Sequence, residues 1–188
     1  NEGDELISVQ ILESDDEILL ASSSGKCIRF SASSVRPTGR SSMGVRSMYL
    51  ADGDRVVDMA VIRKGSDEEV LTVSKFGYGK RSDIDEYRKQ SRAGKGTLAG
   101  KFNETTGELV NLKLINPEDD IMLIADNGII IRIKAEEINK ISRNTKGVRI
   151  MRMKGEGSVV CVAVAPPEPG EPEADVAESA DSDRTAEE

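Results

Sequence analysis

Three arginines stand at matched places in this 188-residue chain, Arg40, Arg92 and Arg143, each followed four residues on by a glycine, Gly44, Gly96 or Gly147. That pairing suits an anion such as phosphate, because the guanidinium presents a fixed fork of donors and glycine lets the backbone come close. Fifteen residues ahead of each arginine lies another glycine, Gly25, Gly77 or Gly128, and four beyond that glycine a second arginine, Arg29, Arg81 or Arg132. Support for catalysis is weaker. Histidine is absent, which removes the commonest general base and the commonest transition-metal ligand. Cys27 and Cys161 lie in apolar stretches with no Cys or His neighbour at ligand spacing, so each is expected to be a buried structural residue.

Charge follows the same spacing. The net charge of -8 belongs to residues 166–188, which hold nine acids and one arginine, while residues 1–165 hold 25 acids and 25 bases. Within that neutral part, residues 25–46, 75–101 and 128–154 carry +5, +5 and +6, and residues 1–24, 47–74 and 102–127 carry -7, -3 and -5. Equivalent positions of stacked modules fall on one side, so the three basic blocks are expected to merge into a stripe that neutralises phosphates. Aromatic residues are only 3% and Trp is absent, which disfavours stacking on unpaired bases and favours duplex DNA over single strands. Nothing in the sequence matches a device for reading base edges, so the expected binding is independent of sequence.

The elements that must position these residues repeat as well. At offsets of 52 and 51 the segments 18–62, 70–115 and 121–164 come into register. Each opens on an apolar run, Ile18-Leu19-Leu20, Val70-Leu71-Thr72-Val73 or Ile121-Met122-Leu123-Ile124, then reaches the first glycine, which reads as a hairpin. Each closes on an alternating run, Val57-Asp58-Met59-Ala60-Val61, Val110-Asn111-Leu112-Lys113-Leu114 or Val160-Cys161-Val162-Ala163-Val164. Such alternation predicts sheets with one face buried.

The chain therefore reads as an all-β, partial array of about three blades in a propeller-like arrangement, at residues 14–64, 65–117 and 118–165. Residues 1–13, containing Leu6-Ile7-Ser8-Val9-Gln10-Ile11, read as the closing strand of a truncated preceding blade. Residues 166–188, rich in Pro and Glu, have little apolar surface to offset the entropy of ordering and are expected to be a disordered acidic tail. No run of 18 apolar residues and no leader pattern marks the chain for a membrane or for secretion, so a soluble cytoplasmic setting is the expectation.

In the second unit, Gln90-Ser91-Arg92-Ala93-Gly94-Lys95-Gly96 resembles the Gln-Arg-Arg-Gly-Gly-Lys-Gly box of the gyrase A C-terminal domain family at five of seven positions. Gly44-Val45-Arg46, Gly53-Asp54-Arg55-Val56-Val57, Gly77-Tyr78-Gly79-Lys80-Arg81 and Arg143-Asn144-Thr145-Lys146-Gly147-Val148 are similar to text of the same family, so the likeness runs over residues 3–165. No copy of the box is intact, and the chain resembles the latter half of that domain.

The resemblance implies a β-pinwheel whose rim wraps duplex DNA for ATP-dependent negative supercoiling by a type II topoisomerase. It implies ATP and Mg in the whole enzyme and no cofactor in this segment. The partners it implies are the B subunit, in a heterotetramer, together with the remainder of the A subunit. Its catalytic tyrosine follows an arginine, and Tyr49, Tyr78 and Tyr87 do not. Arg40, Arg92, Lys95, Arg143 and Lys146 are the expected phosphate contacts, with Arg46, Lys80, Arg81, Arg132 and Arg149 extending the stripe. The A-type subunit of topoisomerase IV and a protein-binding propeller are the rival readings.

Overall fold

Among the described residues eleven strands form, the longer ones on the apolar and alternating runs, with glycines in the hairpin turns. The structure, a computed structural model, describes residues 3–153, 155 and 157–166. In the first repeat β1 (Glu17–Ser22) and β2 (Lys26–Ser31) form a hairpin around a three-residue link ending on Gly25, whose φ is 81°. A left-handed glycine closing such a link is what a three-residue hairpin requires. The same hairpin recurs as β4 (Glu69–Ser74) with β5 (Tyr78–Asp83), and as β8 (Asp120–Ala125) with β9 (Ile130–Lys134). The closing strands β3 (Val56–Ile62), β7 (Leu109–Ile115) and β11 (Val159–Ala165) pair antiparallel with β1, β4 and β8 respectively.

The outermost strand of a sheet comes from the next repeat. β6 (Thr97–Leu98) leaves the second repeat to pair with β2, and β10 (Val148–Arg149) leaves the third to pair with β5. The sheet orders are therefore β3-β1-β2-β6, β10-β5-β4-β7 and β11-β8-β9. Closing strands also reach backward: Leu109 N–H donates to Ser23 O at 3.0 Å and Val159 N–H to Lys75 O at 2.8 Å. The blades are thus interlocked at both the rim and the inner strands.

Burial differs from the one-faced sheets expected. β1 and β4 are buried on both faces: the second sheet packs between the first and third, while the first packs on the second by one face and on its own loop residues by the other. Leu19, Ala21 and Cys27 of the first sheet meet Val70, Leu109 and Leu112 of the second. Leu71 and Val73, one residue out of phase with Val70, meet Ile121, Leu123 and Val162 of the third. Ile18, Leu20, Ile28 and Phe30 form a third cluster with Met48 on the other side of the first sheet. Cys27 is buried as expected, whereas Cys161 is exposed: a bulge at the start of β11 turns it outward.

Residues 6–11 carry no strand pairing, and Leu6, Val9 and Ile11 are exposed. Each closing strand pairs with the opening strand of its own repeat. The expected tail lies, apart from Pro166, outside the described residues. Among the described residues no helix is long and apolar enough to cross a membrane.

Candidate nucleic-acid interface

The loops that carry the sequence signature lie on the blade before their own. Gly96, with φ of 69°, sits so close to β2 that an added Cβ would stand 2.4 Å from Cys27 O. Gly147, with φ of 80°, sits on β5 with the same restriction, 2.7 Å from Gly79 O. Any side chain at either place would strike backbone, so the glycines fix where the donated strands dock. Cys27 and Gly79 are equivalent positions of successive sheets. Lys95 and Lys146, each one residue ahead of its docking glycine and each exposed, therefore occupy equivalent sites on successive blades.

Of the ten basic residues read from the sequence, Arg40, Arg46, Lys95, Lys146 and Arg149 are exposed with side chains on loops or donated strands. Arg149 pairs with Tyr78 across the β10–β5 ladder, and its Nη2 donates to the Tyr78 hydroxyl at 3.0 Å.

The other five are held by internal partners. Arg81 and Arg132 belong with Arg29 to a repeated ion pair across the first hairpin of each blade. Arg29 meets Glu17 at 2.5 Å, Arg81 meets Glu69 at 2.7 Å, and Arg132 meets Asp120 at 2.6 Å, each pair twelve residues apart. Arg29 also donates to Ile84 O and Tyr87 O, and Arg81 to Glu136 O and Ile138 O, so each guanidinium clasps the short 3-10 turn of the next repeat. A lysine from that next repeat completes the cluster, Lys89 on Glu17 at 2.8 Å and Lys140 on Glu69 at 3.0 Å. Burial pushes the Glu17 carboxyl up, but hydrogen bonds and charge from Lys89 and Arg29 outweigh it and hold the group below its ordinary range.

Arg92 and Arg143 are staples as well. Arg92 donates to Ser34 O at 3.3 Å and to Arg46 O, and Arg143 donates to Glu86 O at 3.0 Å and to Leu98 O. These acceptors are the same two positions of the preceding repeat, so the matched arginines bind protein backbone where phosphate was expected. Arg143 also lies 5.9 Å from the centroid of the buried Tyr87 ring.

Lys80 is buried, with 1% of its surface exposed. Its ammonium donates to Ser142 O at 3.3 Å, Thr145 O at 2.8 Å and Arg143 O, tying down the loop that presents Lys146. Desolvation lowers its pKa to about 8. Its ammonium is thus directed at loop carbonyls, and the contacts it makes shape that loop. The acid twelve residues ahead of each hairpin arginine, Glu17, Glu69 or Asp120, was the sequence signal for the ion pairs.

Among the described residues no cluster of His, Cys, Asp or Glu suits a metal ion. What the arrangement offers is a row of exposed cations, one set per blade, on loops held rigid by internal arginines and a buried lysine.

Known proteins share this organisation. The family model for the "DNA gyrase C-terminal domain, beta-propeller" matches residues 16–63, 68–116 and 119–166. The chain is 41% identical over 159 residues to the A subunit of DNA gyrase from Escherichia coli strain K12, covering 85% of this chain and 18% of that protein. It is 38% identical over 159 residues to the corresponding gyrase protein of Staphylococcus epidermidis, with the same coverage. The chain thus spans about a fifth of the length of the curated relatives it matches. A solved structure of a DNA gyrase A C-terminal domain superposes with TM-score 0.81 at 25% identity, over 88% of this chain and 56% of that one. A topoisomerase IV C-terminal domain superposes with TM-score 0.77 at 24% identity, over 82% of this chain and 48% of that one, a likeness of fold alone. Matched repeats, interlocked blades and these relatives agree: the chain belongs to the DNA gyrase C-terminal domain family.

Proposed function

We propose that the chain binds and wraps duplex DNA without regard to sequence, along a rim formed by Lys95, Lys146 and Arg149 with Arg40 and Arg46. The observation that carries this reading is the equivalent docking of Gly96 and Gly147 on the first and second sheets, which sets Lys95 and Lys146 at the same point of two successive blades. Regularly spaced cations on a curved stack suit a phosphate backbone that follows the curve, and the contact needs no base readout. The blades that supply them are residues 14–64, 65–117 and 118–165.

In this proposal the wrapping serves the A subunit of a gyrase, acting in the cytoplasm with the B subunit in a heterotetramer that the rest of the A subunit completes. ATP and Mg belong to the whole enzyme's supercoiling reaction rather than to this segment. A gel-shift titration against salt tests the binding. Five phosphate contacts give a slope of log K on log salt near about -4.5, which is roughly a 10²- to 10³-fold loss of affinity between about 50 and 200 mM salt. A flat salt response would remove the proposal. A supercoiling assay on the whole enzyme separates gyrase from topoisomerase IV.

A further inference from the structure

The rim cations are not all presented in the same way. At the junction of the second and third blades, Lys146 and Arg149 share one aromatic ring. Arg149 Cζ lies 5.1 Å from the centroid of Tyr78 and Lys146 Nζ lies 6.0 Å from it. The Tyr78 hydroxyl in turn accepts a hydrogen bond from Arg149 Nη2.

The backbone around this ring is pinned on both sides. Upstream, Lys80 ties the carbonyls of Ser142, Arg143 and Thr145. Downstream, Ile150 N–H and Met151 N–H both donate to Gly77 O, at 2.9 and 3.1 Å. Between them Gly147 presses on Gly79. The equivalent junction of the first and second blades has Lys26 in place of Tyr78 and Leu98 in place of Arg149, with Lys26 and Leu98 paired across the ladder. That junction has lysines and no ring to order them.

Resting on the DNA-binding reading above, we propose that Tyr78 is a positioning residue that holds Arg149 and Lys146 as a paired clamp for one stretch of DNA phosphodiester backbone. A free arginine and a free lysine each lose rotamer freedom on seizing a phosphate. The ring face and hydroxyl restrict both before DNA arrives, while the unused guanidinium donors and the ammonium remain open to solvent. The two junctions then grip DNA unequally, the second more tightly.

The test is a double-mutant cycle in duplex binding by the full 188-residue chain, with Tyr78→Phe, Tyr78→Leu, Arg149→Ala and Lys146→Ala, each checked for an unchanged thermal transition. Tyr78→Phe is expected to weaken binding about 2- to 5-fold and Tyr78→Leu further, since the first removes the hydroxyl and the second also the ring face. Arg149→Ala is expected to lower the magnitude of the salt slope by about 1. In the Arg149→Ala background the effect of Tyr78→Phe is expected to vanish. Equal effects of Tyr78→Phe in both backgrounds, or no effect in either while Arg149→Ala weakens binding, would overturn the positioning role. Unchanged binding in Arg149→Ala and Lys146→Ala alike would instead remove the rim reading on which it rests.

Discussion

Arg81 of β5 and Glu69 of β4 face each other across the second hairpin at 2.7 Å, with side chains only 11% and 9% exposed. Removing one member of such a pair leaves the other charge buried without its partner, which typically costs about 3–5 kcal/mol. Glu69→Gln is therefore expected to destabilise the chain by about 3 kcal/mol in denaturant unfolding. Glu17→Gln is expected to do less, because its pair with Arg29 is 17% and 16% exposed.

Arg143 provides the sharpest contrast between structure and surface charge. Its guanidinium is engaged by Glu86 O and Leu98 O, so Arg143→Ala is expected to lower stability by about 2 kcal/mol, the scale of a hydrogen bond to a charged group. Its salt slope for DNA binding is expected to match that of the wild type. A slope reduced by about 1 would return Arg143 to the phosphate contacts.

Ala93 has φ of 65°, in the left-handed region that disfavours a side chain. The box that this loop resembles carries glycine there. Ala93→Gly is expected to raise stability by about 0.5–1 kcal/mol, the strain relieved exceeding the extra freedom of the unfolded chain. Thermal melting reads the change directly, and a lower midpoint would mean that the loop is held by contacts that outweigh the strain.

Lys80 and Tyr87 give the alkaline stability curve its shape. The folded pKa of Lys80, about 8, lies below the ordinary 10.5, so between those values the unfolded chain binds more protons and stability rises with pH. Burial pushes the Tyr87 hydroxyl above its ordinary value of 10.0, so above that pH the unfolded chain ionises first and stability falls. Stability is expected to climb from pH 8 to pH 9, above which the buried Cys27 thiol, pushed up from its ordinary 9.0, opposes the rise, and Lys80→Met is expected to flatten that climb. A climb that persists unchanged in Lys80→Met would assign it to other groups.

The three repeats were legible because each opening apolar run leads to a glycine turn and each closing run alternates with a strand period. Strand exchange was not: β6 and β10 are two residues long, too short for any periodicity, and their partners lie about seventy residues away. Nor does sequence distinguish a cation facing phosphate from one facing a carbonyl. Arg92 and Lys95 are three residues apart in one basic loop, yet Arg92 reaches Ser34 O while Lys95 is exposed. Lys80 left a trace that reading charge alone passes over, since it stands where the neighbouring repeats have Ile28 and Ile131.

On the proposed rim the donated loops, and not the repeated arginines, meet DNA. This proposal is tested most directly by the salt dependence of duplex binding in two variants of the full chain. Replacing Lys95, Lys146 and Arg149 together with alanine is expected to reduce the magnitude of the slope by about 2.7, at about 0.9 for each phosphate no longer neutralised. Replacing Arg92 and Arg143 with alanine is expected to leave the slope of the folded protein unchanged. An unchanged slope in the first variant, or an equal reduction in the second, would contradict the account.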